Sequence, residues 1–266
     1  MRILSLDTTA REGSAAIVED DRVIEVRRGD ASRSHAERLP SELIALLEAH
    51  GLSFADVDVF AVASGPGSFT GLRIGIATIQ GLAFTRARRV VAVSALEALA
   101  HTASVRDGGA GNREPGTWNR EPGTGNREPE TGNLEPGTLV VAWMDAFRRE
   151  VFAATYRIAN APPFDPGRLR IVEAAQVGAP ADFLKTLRTV DSECPIVFTG
   201  DGAVTYVEQI ADAFPSAIVQ PAGPIAGAIG LMALARARRG ETIDPAAIQP
   251  LYVRRPDAEV ARDARQ

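Results

Sequence analysis

The segment 65–75, Gly-Pro-Gly-Ser-Phe-Thr-Gly-Leu-Arg-Ile-Gly, is the stretch of this chain best suited to bind a ligand. It joins a predicted strand at 57–63 to a predicted helix at 71–86. Glycines permit positive φ angles and a close approach of the backbone. The N–H groups at the start of the helix could therefore hold an anion. The alternative is a tight strand-to-helix connection without a ligand.

Side chains that could act directly in catalysis lack the partners that such chemistry needs. His35 is followed at the next helical turn by Leu39, so this helix offers one imidazole without a second metal ligand nearby. Ser68 and Thr70 are loop hydroxyls, and Cys194 lies between Glu193 and Pro195 with no adjacent base apparent, whereas nucleophilic chemistry needs a base within hydrogen-bond reach. We therefore predict no catalytic residue and no metal site.

The elements that position these residues occur in the same order in both halves of the chain. In each half an apolar strand ends in an aspartate, Asp7 or Asp145, and a turn leads into a second strand. The first half is predicted to contain strands at 2–6, 14–18, 22–28, 57–63 and 89–93 and helices at 34–50, 71–86 and 94–103. The second half is predicted to contain strands at 138–145, 151–156 and 195–198 and helices from Gly202 to Phe214 and from Pro224 to Arg239.

Residues 112–138 are four copies of a seven-residue unit that begins Asn-Arg-Glu-Pro-Gly-Thr in its fullest form. Proline and glycine exclude a helix, and the unit has almost no apolar side chain to bury apart from Trp118. We therefore predict a flexible insert at 105–138 without a catalytic role. The predicted domains are a first lobe at 1–104, a reduced second lobe at 139–250 and a tail at 251–266.

Composition restricts the possible functions further. The chain has 266 residues, a formal net charge of −5 and one cysteine, which allows no internal disulfide. The acidic balance argues against strong nucleic-acid binding by this chain alone. The sequence shows no apolar run long enough for a membrane span and no signal peptide, so we expect a cytoplasmic protein.

The duplicated strand–aspartate turns resemble the plan of the actin-like and sugar-kinase fold. Within that fold the chain resembles the TsaB family, the non-catalytic relatives of the tRNA-modifying enzyme TsaD. The similar stretches are 4–8, 34–39, 64–75, 145–152 and 250–255. The resemblance covers nearly all of the chain outside 105–138. Phe147 and Arg148 depart from it, because the family more often has an arginine pair directly after the alanine.

The resemblance implies an α/β, two-lobed actin-like ATPase fold of the sugar-kinase and heat-shock-chaperone type, with a duplicated mixed sheet. It implies a subunit that binds TsaD together with TsaE, while TsaD moves a threonylcarbamoyl group from threonylcarbamoyl-AMP to N6 of the tRNA adenosine next to the anticodon. It further implies a homodimer when TsaD is absent and tRNA contact only within the complex. The alternatives are an ATP-dependent enzyme of the sugar-kinase class and a peptidase acting on TsaD.

In the actin-like fold the paired turns hold nucleotide phosphates and Mg²⁺, so ATP with Mg²⁺ is the cofactor to test, although the TsaB resemblance favours none. The alternative is that the aspartates only cap their turns. The nucleotide-binding candidates are Asp7, Thr8, Thr9, Asp145, Gly200, Asp201 and Gly202.

The helix predicted at 71–86 is apolar on nearly every side, so it must be covered on more than one face. Together with the helix at 34–50 it would form half of a four-helix interface with TsaD, which is the use that the resemblance implies. The alternative is a central helix covered entirely by its own chain. The residues assigned to the interface are His35, Leu39, Leu43, Leu47, Gly71, Arg73, Ile74, Gly75, Ala77, Thr78 and Gly81.

Overall fold

The computed structural model describes residues 1–105, 133–190 and 194–253. The repeats at 112–132, with Trp118, and the part of the tail beyond Val253 lie outside the described residues. Within these ranges the chain forms two five-stranded mixed sheets with helices on both faces.

The first sheet has the strand order β3-β2-β1-β4-β5, with β1 antiparallel to β2 and parallel to β4. Three helices accompany it, and a serine precedes the first residue of each. The Ser68 and Ser94 hydroxyls accept from backbone N–H groups in the first turn of the helix that each precedes. The elements are β1 (Arg2–Asp7), β2 (Ser14–Glu19), β3 (Arg22–Arg28), α1 (His35–Glu48), β4 (Val59–Gly65), α2 (Phe69–Thr85), β5 (Arg89–Ser94) and α3 (Ala95–Ala103).

The second sheet repeats this plan with the order β10-β9-β6-β7-β8, in which β6 is antiparallel to β7 and parallel to β9. The prediction of a duplicated α/β mixed sheet is thereby confirmed. The elements are β6 (Leu139–Asp145), β7 (Val151–Ile158), β8 (Leu169–Gly178), α4 (Pro180–Leu187), β9 (Ile196–Thr199), α5 (Asp201–Thr205), α6 (Val207–Ala213), β10 (Ile218–Gln220) and α7 (Ala226–Arg238).

The second half departs from prediction in the helix after β9 and in three elements that were not predicted, whereas the final helix starts near Pro224 as predicted. The helix predicted from Gly202 to Phe214 is interrupted at Tyr206, whose backbone leaves the helical region (φ −109°, ψ 26°). Strands β8 and β10 and helix α4 were not predicted. The final helix starts at Ala226, two residues after Pro224, and is followed by Gly240 with φ +76°.

Helices α3 and α7 form a layer between the two sheets. Helix α7 follows the second sheet in sequence but packs on β1 and β2 of the first, while α3 packs on β6 of the second. Ser5 Oγ donates to Ala226 O (2.7 Å), and Ala226 N donates to Ser14 Oγ (3.2 Å). One continuous apolar core therefore includes a face of each sheet. The predicted lobe boundaries stay a prediction, with α7 of the second segment lying against the first sheet.

None of the described helices is both long and apolar enough to cross a membrane.

His101, in α3, is a packing residue of this shared core. Its ring is fully buried and stacks on Phe164 (5.8 Å between ring centroids). Neither ring nitrogen has a hydrogen-bond partner among residues 1–105, 133–190 and 194–253. Burial, assisted by the charges of Arg168 and Arg236, lowers the pKa of His101 to about 3.

Replacing His101 with leucine is expected to weaken the acid sensitivity of folding. The unfolded chain protonates this imidazole below its ordinary pKa of 6.5, whereas the folded protein keeps it neutral down to about 3. Folding stability is therefore lost as the pH falls through this window. Between pH 7 and pH 4, urea unfolding should show a smaller loss of unfolding free energy for His101→Leu than for the unaltered protein. The difference between the two proteins at pH 7 measures the effect of the changed packing alone. Equal pH dependence in both proteins would contradict the burial of a neutral ring.

Candidate functional site

The glycine-rich stretch encloses the first strand–aspartate turn at close range. A Cβ atom on Gly67 would lie 2.5 Å from Thr9 Cβ, and one on Gly71 would lie 2.1 Å from Thr8 O. A Cβ atom on Gly75 would lie 2.1 Å from Thr8 Oγ1. The glycines are needed here because the turn and the start of α2 lie too close together for side chains.

Two N–H groups at the start of α2 are bonded within the chain, and anion binding there stays a prediction. Ser68 N donates to Thr9 O (2.8 Å), Gly71 N donates to Ser68 Oγ (3.2 Å), and Leu72 N donates to Ser68 O (2.8 Å). The first two bonds use N–H groups that could otherwise reach an anion, whereas the bond from Leu72 N is the first ordinary bond of the helix. The alternative, a tight strand-to-helix connection, is therefore favoured.

The aspartates predicted to bind a nucleotide are all hydrogen-bonded in turns. Asp7 is buried, and its Oδ1 accepts from Thr9 N (2.9 Å) and Thr9 Oγ1 (2.6 Å). Asp145 Oδ1 accepts from Phe147 N (2.9 Å). Asp201 Oδ1 accepts from Asp145 N (3.0 Å) and Gly202 N (2.9 Å), so it ties the start of α5 to the end of β6.

Burial raises the pKa of Asp7 above its ordinary value, although the two hydrogen bonds from Thr9 oppose the rise. The negative charge of Asp201 raises this pKa further. The fold thus brings carboxylates from two distant turns within electrostatic reach of each other. Among the residues that the structure describes, no three or more His, Cys, Asp or Glu side chains are grouped to hold a metal.

Gly200 and Gly202 are needed for close packing, and their assignment to a nucleotide stays a prediction. Gly200 has φ +114°, and a Cβ atom there would lie 2.0 Å from Trp143 O. A Cβ atom on Gly202 would lie 3.0 Å from the carbonyl carbon of Met144. Both glycines therefore let α5 begin against β6. Nucleotide binding stays a prediction for Asp7, Thr8, Thr9, Asp145, Gly200, Asp201 and Gly202.

Five residues assigned to the partner interface are covered by the chain itself, which corrects that assignment. The leucines of α1 lie in the core between α1, α2 and the first sheet, because the apolar face of α1 covers that sheet. Gly71 and Gly75 face Thr8, as described above. The corrected residues are Leu39, Leu43, Leu47, Gly71 and Gly75.

The remaining assigned residues of α2 lie on or beside its solvent side. Arg73, Ala77 and Gly81 are exposed and recur every four residues, so they form one row along the helix, with Ile74 and Thr78 half-buried beside it. Sequence reasoning missed the two phenylalanines that extend this row, although both lie within or beside the glycine-rich stretch and the helix. We define the α2 stripe as Phe69, Arg73, Ala77, Gly81 and Phe84.

His35 and the neighbouring Arg38 connect α1 to the same turn. His35 is half-buried and Nε2 lies 3.1 Å from Ala10 O, while Arg38 Nη2 lies 2.7 Å from His35 Nδ1. Arg38 is buried and also donates to the backbone oxygens of Arg11 and Glu12. Sequence reasoning missed Arg38, because a lone arginine in an amphipathic helix is most often exposed.

Replacing Gly75 with alanine is expected to destabilise the fold by about 1–3 kcal/mol, because the new methyl group would overlap Thr8 Oγ1. Gly81→Ala is the matched control on the same helix. A Cβ atom there meets open space, so the control should stabilise by about 0.5–1 kcal/mol. Urea unfolding measures both, and a Gly75→Ala protein as stable as the control would contradict the close fit.

Replacing Asp7 with asparagine is expected to stabilise the fold at pH 7 and to have little effect near pH 3. The folded-state pKa lies above the ordinary value of 3.8, so ionisation costs stability as the pH rises through this interval. Asparagine keeps an oxygen for the Thr9 donors and carries no charge.

Asp56→Asn provides a control of opposite sign. The Asp56 carboxylate accepts from Ser53 N and Ser53 Oγ, and these bonds lower its pKa. Its replacement should lower stability at pH 7. Denaturant unfolding at both pH values tests the pair, and a loss of stability at pH 7 in Asp7→Asn would be evidence against a costly buried charge.

Comparison with known proteins gives consistent sequence matches. A family model, described as TsaD: tRNA N6-adenosine threonylcarbamoyltransferase, matches residues 26–117. The TsaB protein of Escherichia coli is 35% identical over 108 residues, which are 41% of this chain and 46% of that protein. The chain thus spans slightly less than half the length of that relative. The TsaB protein of Bacillus subtilis is 27% identical over 212 residues, covering 80% of this chain and 76% of that protein.

A solved structure extends the similarity to nearly the whole chain. The Pseudomonas aeruginosa protein described as similar to the peptidase YeaZ superposes with a TM-score of 0.71 at 27% identity, covering 95% of this chain and 99% of that one. The α/β fold with its duplicated mixed sheet is therefore shared with a solved structure. The chain is therefore similar in sequence to TsaB proteins, over 41% to 80% of its length, and similar in fold to the Pseudomonas aeruginosa protein along nearly its full length.

Proposed function

We propose that this chain is a non-catalytic subunit of tRNA threonylcarbamoyladenosine biosynthesis that binds TsaD through the α2 stripe. With TsaD and TsaE it takes part in transferring the threonylcarbamoyl group from threonylcarbamoyl-AMP to N6 of the tRNA adenosine next to the anticodon. This transfer takes place in the cytoplasm, and tRNA contacts the chain only within the complex. The observation that carries this proposal is the exposed α2 stripe, in which two phenylalanines flank small residues and one arginine.

The α2 stripe has the shape that close helix packing needs. Phe69 and Phe84 stand near its two ends, with 44% and 81% of their surfaces exposed. Between them Ala77 and Gly81 carry almost no side chain, and a Cβ atom added to Gly81 would meet nothing. Two aromatic anchors with small residues between them allow a partner helix to approach closely and to fill the space along the row.

TsaD is the partner that the sequence matches favour. The TsaD family model covers residues 26–117, which include both α1 and α2. TsaD is therefore expected to carry a related pair of helices. Two related helix pairs can pack about a pseudo-twofold axis, and two copies of this chain can do so by the same contacts when TsaD is absent.

The turn aspartates support a role without catalysis by this chain. The Oδ1 atoms of Asp7, Asp145 and Asp201 each accept backbone hydrogen bonds that shape a turn or a strand end. Their positions are thus explained by the fold. The net charge of −5 is consistent with most of the tRNA affinity coming from other subunits.

Replacing Ala77 with glutamate is expected to weaken TsaD binding roughly a hundredfold, because a carboxylate would be buried without a partner in the interface. Val207→Glu is the matched control, since Val207 is also an exposed apolar helix residue but lies in α6. Isothermal titration of each variant with the organism's own TsaD measures the effect.

The same pair of variants can be tested in the cell. Deletion of this chain should abolish the tRNA modification, and the control variant should restore it while Ala77→Glu does not. If Ala77→Glu binds TsaD as tightly as the unaltered chain and unfolds at the same temperature, the proposal is wrong.

A further inference from the structure

The segment 250–253 crosses the amino end of α2. Leu251 N donates to Ser64 O at the end of β4 (2.7 Å). Leu251 O also lies 2.8 Å from the position that a Cβ atom on Gly65 would occupy. The backbone of this segment is therefore fixed against the strand from which the glycine-rich stretch starts.

Tyr252 continues this contact onto the α2 stripe. Its ring stacks on Phe69, with 5.3 Å between the centroids and 29° between the planes. Arg73 Nε donates to Tyr252 Oη (3.1 Å), and Arg73 Cζ lies 4.1 Å from the centroid of the Phe69 ring. We call Phe69, Arg73 and Tyr252 the aromatic cluster. Each member contacts the other two. The Arg73 guanidinium is therefore held both by the Tyr252 hydroxyl and by the face of the Phe69 ring.

The aromatic cluster remains accessible although its members contact each other. Phe69 is 44% exposed and Tyr252 is 38% exposed, and Leu251 beside them is exposed to a similar degree. Tyrosine and arginine are among the residues that most often supply binding energy at interfaces. Side chains that are already ordered lose less entropy on binding. The cluster therefore has both the composition and the preorganisation of an interface anchor.

We propose that the segment 250–253 is part of the TsaD docking surface, where it adds Leu251 and Tyr252 to the amino end of the α2 stripe and orients Arg73 toward TsaD. This inference rests on the proposed function. The surfaces are continuous, because Phe69 and Arg73 belong both to the stripe and to the aromatic cluster. The occupant is TsaD, since it is the partner proposed for the stripe itself.

The test compares point variants and truncations of the full chain by isothermal titration with the organism's own TsaD. Tyr252→Ala is expected to weaken binding roughly tenfold. Tyr252→Phe keeps the ring and loses only the contact with Arg73, so a smaller loss, about two- to fivefold, is expected. Ile171→Ala, at an exposed position on β8, is the control that should bind like the unaltered chain.

Two truncations separate the segment from the residues after it. A chain that ends at Pro250 should bind at least as weakly as Tyr252→Ala, whereas a chain that ends at Val253 should bind normally. Thermal unfolding of every variant checks the fold. If the chain ending at Pro250 unfolds at a lower temperature than the unaltered chain, the comparison of Tyr252→Ala with Tyr252→Phe still tests whether the segment binds TsaD.

The outcomes distinguish this inference from the proposed function. If Tyr252→Ala binds normally while Ala77→Glu does not, the segment is not part of the docking surface but TsaD still binds the stripe. Normal binding by both variants would overturn both proposals. A loss shared by the two truncations, with Tyr252→Ala unaffected, would assign the effect to residues 254–266 and would also overturn this inference.

Discussion

The close fit between the Thr8–Thr9 turn and the glycine face of α2 is the constraint on which the rest of the site depends. Gly71 and Gly75 lack side chains, so Thr8 can pack closely against this side of the helix. Because each residue turns an α-helix by about 100°, Arg73 and Ala77 must then point to the opposite side. The contact that fixes the helix against β1 thus also decides which residues face solvent. Arg38 strengthens the arrangement, since it ties α1 to the backbone of the same turn.

Much of the fold could be predicted because most of its strands are short apolar runs, of which β1, β4 and β6 end in aspartate or glycine. The helices α1, α2 and α3 each follow a serine, which is a strong local signal. Strand β8 was missed because it is an edge strand whose side chains are only partly buried, so its sequence lacks a clear two-residue alternation. The break between α5 and α6 was missed because the apolar spacing of Val204, Val207 and Ile210 continues through it.

The site was predicted less completely, for a physical reason. An apolar or glycine-rich helix face in a sequence shows that the face must be covered. It does not show whether the chain itself or a partner protein covers it. The leucines of α1 and two glycines of α2, Gly71 and Gly75, were assigned to a partner, whereas the chain's own sheet and its own turn cover them. Conversely, the contact between Arg73 and Tyr252 joins residues 179 positions apart, and no local pattern reports such a pairing. Only the tertiary structure separates the covered face of α2 from the exposed one.

The shared helical layer favours a docking role over one that depends on movement between the lobes. Helices α3 and α7 pack on each other and on both sheets, and the two sheets contribute to one core. Closure of the lobes around a ligand would have to shift this layer and disturb close packing on both of its sides. A surface on two sheets that are joined in this way has the same arrangement in the free protein as in a complex. Because binding then orders few additional groups, even a stripe of modest size can hold a partner helix firmly.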